Sequence, residues 1–220
     1  MGWGIRGRLL HASWLLWLTL LVMGPAMGAG AANERVLVLG DSLSAAYNMP
    51  TEAGWVARLA ERLGPDARVI NAAISGETTS GARARLPDAL ERHQPSIVII
   101  ALGGNDGLRG ISPAAMRENL LAMIDRSRAA GARVVLAGVR LPSNYGTAFI
   151  ERFRQVYRDV AERTDVPLIP MLLADVAEDP SLMQADGIHP NQKAQPIILE
   201  TVWSALAPLL ESDPAAPAAD

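Results

Sequence analysis

Apolar positions along this chain follow two different rhythms. Short unbroken apolar runs alternate with longer stretches in which apolar residues return every three or four positions. The first run is Val36–Leu39, a predicted buried strand broken by Gly40-Asp41. Thr51 is placed to cap a helix ending at Leu63, with Trp55, Val56, Leu59 and Leu63 on one face and Gly64-Pro65 as its stop. A second short strand is predicted over Arg68–Ala72, then a loop Ile74–Thr78 and a helix Thr79–His93 closed by Pro95. Ser96–Leu102, reading SIVIIAL, is apolar enough for a central parallel strand. The glycine-rich loop Gly103–Gly107 follows it. Ser112-Pro113 opens a helix running to Ala130, with proline at the first turn and Gly131 past the end.

The second half repeats the alternation. Arg133–Val139 is the fourth strand, and Leu141–Gly146 is its loop. Ile150, Phe153, Tyr157, Val160 and Ala161 mark an amphipathic helix. Val166–Ile169, between prolines, is an expected edge strand. A short helix is expected over Met171–Val176, then the loop Ala185–Pro190. The last helix carries Ile197, Ile198, Val202, Leu206 and Leu209, with Pro196 marking a kink or its true start. Five strands alternating with helices predict a three-layer α/β/α sandwich: a five-stranded parallel sheet of flavodoxin-like order 2-1-3-4-5. That order gathers the loops after strands 1, 2 and 3, and the late Asp-Gly-Ile-His loop, near one end of the sheet.

The two ends of the chain stand apart. Arg6 and Arg8, the apolar stretch Leu9–Met23 and the small residues Ala29-Gly30-Ala31 read as a secretory signal over residues 1–31. A membrane anchor is the competing reading, against which His11 and Ser13 interrupt the apolar stretch and Gly24-Pro25 ends it early. Residues 32–211 then form one domain, and the Ala/Pro-rich residues 212–220 a loose tail. The net charge is −3, and −5 once the signal with its two arginines is removed, with no basic run, which gives nucleic-acid binding no support. The absence of cysteine excludes disulfides, thiolate catalysis and cysteine-ligated zinc. The expected location is the bacterial periplasm or the exterior, with no stable membrane insertion after signal cleavage, and a monomer suffices.

Chemistry concentrates in the loops. Ser42 follows the first strand at its C-terminal end, where open α/β sheets bind ligands, although Asp41 and Ser42 are also ordinary turn residues. Of three histidines, His11 lies in the signal and His93 sits among Glu91, Arg92 and Gln94 as a solvated side chain. His189 is the candidate general base, kept out of helical geometry by Pro190. Asp186, three residues earlier, can accept from its Nδ1–H and leave Nε2 free to take a hydroxyl proton, though the same pair also suits a capping loop or part of a metal site. Gly76 can bring its backbone N–H close to a substrate, and Asn105 can offer a side-chain N–H, the two donors that a developing oxyanion needs. Plain turns remain the competing reading for Ser75-Gly76 and Asn105-Asp106.

Taken together, Gly40-Asp-Ser-Leu-Ser44, Gly76 in Ile-Ser-Gly, Gly103-Gly-Asn-Asp106 and Asp186-Gly-Ile-His189 resemble, in order, the four blocks of the SGNH, or GDSL-type, hydrolases. The flanks Leu102–Gly110, Arg140–Gly146 and Asp186–Asn191 extend the resemblance to that family's exported bacterial esterases acting on acyl thioesters, lysophospholipids and aryl esters. The resemblance implies Ser42 as nucleophile, His189 as base and then acid, and Asp186 as its orienting partner. It also implies an oxyanion hole of the Ser42 and Gly76 N–H groups and the Asn105 side chain. Leu108, Ile111, Pro142 and Tyr145 should border the acyl pocket, with Gly107 and Gly110 as hinges of the first loop. The implied substrate is a small-molecule acyl ester or thioester, with no metal and no organic cofactor. Two rivals are a carbohydrate O-acetyl esterase on the same scaffold, and a non-catalytic binding module in which Asp41, Asn105 and Asp106 hold a ligand or metal.

Overall fold

The computed structural model describes residues 1–2 and 33–211; the expected signal segment, beyond its first two residues, and the tail 212–220 lie outside the described residues. Five parallel strands form one sheet in the order β2-β1-β3-β4-β5. They are β1 (Arg35–Gly40), β2 (Arg68–Asn71), β3 (Ile97–Ala101), β4 (Arg133–Ala137) and β5 (Leu168–Ile169). All residues of β3 are buried, and β1 is buried from Val36 onward, because both faces of a parallel sheet are covered. The register places Val36 beside Ile97 and Gly40 beside Ala101, so β1 and β3 end level and release their following loops side by side.

The helices are α1 (Trp55–Leu63), α2 (Thr79–His93), α3 (Gly104–Leu108), α4 (Pro113–Ala129), α5 (Thr147–Thr164) and α6 (Gln195–Glu211). Packing of α1 on α6, and of α2 and α5 on either side of α4, makes the two helical layers. Their buried stripes (Trp55, Val56, Leu59 and Leu63 on α1; Phe153, Val156, Tyr157 and Val160 on α5) cover the strand core.

Three local expectations are corrected. Thr51 does not cap α1: residues 51–53 form one tight turn and Gly54 is the N-cap. The first N–H of α1, from Trp55, donates instead to Gln195 Oε1 across 3.0 Å, so α6 caps α1 from outside. Met171–Val176 is not a helix but a chain of turns. Leu172 N–H is drawn to Gly138 O at 2.8 Å, continuing the sheet edge, and Ala174 and Val176 close three-residue turns onto Met171 and Leu173. Gly103–Gly107, expected as a loop, winds into α3. Asp106 holds it, burying its carboxylate against Thr79 N–H (2.8 Å) and Thr79 Oγ1 (2.5 Å) at the start of α2. Pro87 lies inside α2, and the carbonyl it frees, on Arg83, accepts from Arg126 Nη1 at 3.5 Å.

Candidate active site

Each loop at the C-terminal end of the sheet has a reason for its shape. After β1 the chain turns at once: Asp41 O accepts from the N–H groups of Ser44 (3.1 Å) and Ala45 (3.0 Å), and Asp41 Oδ1 accepts from Leu43 N–H (3.0 Å). Ser42 sits on this turn, half-buried. The turn has room only because position 40 is glycine, since a Cβ there would lie 2.7 Å from Ser44 Oγ. Gly103, at φ +117°, likewise admits no side chain, because a Cβ would meet the Tyr157 hydroxyl that donates to Leu102 O at 2.8 Å. Gly76 has φ +79°, a left-handed conformation that favours glycine.

The late loop carries His189. Asp186 Oδ1 accepts from the backbone N–H groups of Ile188 (2.9 Å) and His189 (3.0 Å), a tight turn with Gly187 at φ +67°. Asp186 Oδ2 faces His189 Nδ1 at 2.7 Å, and His189 Nε2 faces Ser42 Oγ at 2.9 Å. Because a carboxylate only accepts, the imidazole hydrogen belongs on Nδ1, which leaves Nε2 to accept from the serine hydroxyl. Partial desolvation raises the Asp186 pKa, but the hydrogen bonds from His189 and Ile188 outweigh it and hold it at about 2. Gln184 ties the two loops together: its Nε2 donates to Tyr47 O (2.9 Å) and Pro190 O (3.0 Å), and its N–H to His189 O (2.8 Å). The Tyr47 ring lies on the His189 ring, with centroids 4.3 Å apart and planes 33° from parallel.

Ser42, Gly76, Asn105 and His189 all line one cavity of about 450 Å³. Its apolar wall comes from Leu43, Leu108, Val139, Leu141, Pro142, Leu173, Ala177, Met183 and Ile188. Of the expected pocket residues, Leu108 and Pro142 line it. Ile111 does not, and Tyr145 stands behind the wall, its hydroxyl donating to Leu108 O at 3.1 Å. Gly107 is no hinge: it is buried inside α3 with the Leu141 side chain filling the space where a Cβ would be. Sequence patterning does not point to Tyr47, Leu173, Ala177, Met183 and Ile188 as cavity residues. The only signal for them was an apolar residue, Ile188, wedged between Gly187 and His189.

A serine hydroxyl, imidazole and carboxylate hydrogen-bonded in series, with N–H donors on the same cavity, are the working parts of a serine hydrolase. The model of the GDSL-like lipase/acylhydrolase family matches residues 38–196. The chain is 51% identical to esterase TesA of Pseudomonas aeruginosa over 183 residues, 82% of this chain and 91% of that one. It is 44% identical to thioesterase 1/protease 1/lysophospholipase L1 of Escherichia coli over 183 residues, 83% of this chain and 88% of that one. A crystal structure of TesA matches with a TM-score of 0.78 at 50% identity, covering 80% of this chain and 99% of that chain. The chain belongs to the GDSL-like lipase/acylhydrolase family. It is an ester hydrolase of the SGNH type, acting on small-molecule acyl substrates.

Proposed function

We propose that the enzyme hydrolyses aryl esters, lysophospholipids and acyl thioesters such as acyl-CoA through an acyl-Ser42 intermediate. The observation that carries this reading is the unbroken series Asp186–His189–Ser42, opening onto a cavity with one apolar wall. His189 Nε2 takes the Ser42 hydroxyl proton as Oγ bonds to the acyl carbon. The carbonyl oxygen, now negative, accepts from the N–H groups of Ser42 and Gly76 and from the Asn105 side chain. The tetrahedral species collapses, the bond to the alcohol or thiol breaks, and the leaving group departs with the proton from Nε2. Water then gives a proton to Nε2 and adds to the acyl carbon. Collapse releases the carboxylic acid and returns the proton to Ser42. Asp186 stays ionised throughout and keeps the imidazole turned.

The cavity's volume and apolar lining support acyl chains longer than acetyl, against a dedicated O-acetyl esterase. The names of the relatives, which include esterase and thioesterase, support both leaving-group classes. The leader-like residues 1–31 support export to the periplasm, and no helix among the described residues is long and apolar enough to cross a membrane. A monomer is the working unit in this reading. The test is hydrolysis of p-nitrophenyl esters from acetyl to palmitoyl, palmitoyl-CoA and a lysophospholipid by the mature protein and by Ser42→Ala. Activity lost in the variant is expected, with a preference for medium or long chains. Equal activity in both proteins overturns the assignment of Ser42.

A further inference from the structure

One buried acid borders the cavity without a part in the steps above. Asp41 is 2% exposed and lines the cavity between Ser42 and Asn105. Its two oxygens have different partners: Oδ1 accepts from Leu43 N–H at 3.0 Å, and Oδ2 accepts from Asn105 Nδ2 at 3.3 Å. The first bond belongs to the turn. The second reaches 64 residues along the chain to a side chain on α3.

An asparagine side chain has two ends of nearly equal size, one that donates and one that only accepts. Half a turn about its last bond swaps them. In the oxyanion hole the two orientations are not equivalent: the NH2 end stabilises a developing negative charge, and the carbonyl end repels it. Something must therefore select the orientation. An ionised carboxylate can only accept, so it tolerates only the NH2 end beside it. We propose that Asp41 is a positioning residue whose ionised carboxylate fixes the Asn105 side chain with its NH2 group toward the oxyanion hole, one N–H on Asp41 and the other left for the substrate. The proposal rests on the reading of Ser42 and Asn105 given above.

A protonated Asp41 reverses the selection, because its hydroxyl donates and then favours the carbonyl end of Asn105. Burial raises the Asp41 pKa to about 6; the Leu43 N–H, His189 and Asn105 lower it, and Asp106 raises it further. The other titratable group facing it is the Tyr157 hydroxyl, fully buried and itself pushed up, first by burial and then by Asp41 and Asp106. The carboxylate is thus protonated in mild acid, where the enzyme loses an oxyanion donor.

The substitution Asp41→Asn isolates the effect. The new carboxamide keeps an oxygen for Leu43 N–H and sets an NH2 where Oδ2 was. Asn105 then meets it with its carbonyl, the wrong end for catalysis. The test compares kcat and KM on p-nitrophenyl butyrate for wild type, S42A, N105A, D41N and D41N/N105A. Loss in S42A, and a loss of roughly 10²–10³ in the kcat of N105A, read the underlying assignment. D41N is expected to lose at least as much kcat as N105A, with KM within about threefold of wild type. The double variant is expected to be no slower than D41N, because removing the misturned side chain also removes its repulsion. In pH profiles, the acid limb of kcat should lose one protonation in D41N relative to wild type. Four outcomes overturn the proposal: a D41N variant with wild-type kcat, losses that multiply in the double variant, pH profiles of identical shape, or full activity in N105A. The last of these also overturns the oxyanion reading. S42A at wild-type rate overturns the Ser42 reading on which the proposal rests.

Discussion

Replacing Asp41 by asparagine should stabilise the protein while slowing it. The Asp41 carboxyl titrates at about 6 in the folded chain against 3.8 for a free side chain, chiefly because burial penalises its charge. Between those values the folded state still holds a proton that the unfolded state has released. Stability therefore falls as pH rises from about 4 to about 6 and is level above. Two pKa units correspond to about 3 kcal/mol, the cost of keeping this carboxylate ionised at neutral pH. D41N removes that cost and keeps the bond to Leu43. With Asn105 turned over, it keeps the second bond too. The variant should be more stable by up to about 3 kcal/mol at neutral pH and no different near pH 4, a rise in melting temperature of roughly 5–10 °C at neutral pH. Urea unfolding followed by circular dichroism at several pH values measures this. The difference between the two proteins at each pH cancels the titration of every shared group. A D41N protein less stable than wild type at neutral pH, or a gap that does not change with pH, refutes the reasoning. A residue kept only for its turn would leave D41N stable and active. A residue kept for Asn105 leaves it stable and slow, the trade between stability and function that strained sites show.

Other perturbations read other parts of the site. Asp186→Asn should lower kcat by roughly 10²–10⁴ with little change in melting temperature, because it sets the imidazole tautomer on a partly exposed loop. Since Asp186 is held at about 2, it stays ionised above pH 4, and the pH profile of kcat/KM should show no acid limb from its titration in that range. Tyr47→Leu removes the ring lying on His189 and should cost roughly 2–10-fold in kcat, while Tyr47→Phe keeps the ring and should stay near wild type. Gly107→Ala places a Cβ within 2.4 Å of Leu141 Cδ2 and should push that side chain into the cavity. Long-chain p-nitrophenyl esters should then fall roughly 10-fold relative to acetate, and Leu141→Ala in the same chain should restore them.

The strands were legible because a parallel sheet buries both faces, so Val36–Leu39 and Ile97–Ala101 read as unbroken apolar runs. Their order followed from the alternation with helices. Short elements were harder to read. A five-residue helix with two glycines, α3, has no propensity of its own and exists because Asp106 reaches Thr79 on α2. Met171–Val176 has helix-like apolar spacing, but Leu172 is taken by the sheet edge at Gly138 before a helix can start. The far wall of the cavity, Leu173, Ala177 and Met183, lies on those turns and on the strap before His189, where neither period applies.

Asp41 marks where reading along the chain stops. One of its oxygens serves a residue two positions away, and any reader of Gly-Asp-Ser sees a turn there. The other serves Asn105, and the two are neighbours only because β1 and β3 are adjacent and end in register, Gly40 beside Ala101. A different tie, Gln184 joining the late loop to Tyr47 O, holds the histidine 147 residues later in the chain 2.9 Å from Ser42. Local chemistry therefore sufficed to nominate Ser42, Asn105, Asp186 and His189, since each has a turn or loop that advertises it. It could not nominate the residue that turns Asn105 the right way, because that requirement exists only between loops. If the D41N measurements come out as expected, the aspartate of Gly-Asp-Ser has two duties. The first makes the turn that exposes the nucleophile. The second orients the donor that receives the charge the nucleophile creates.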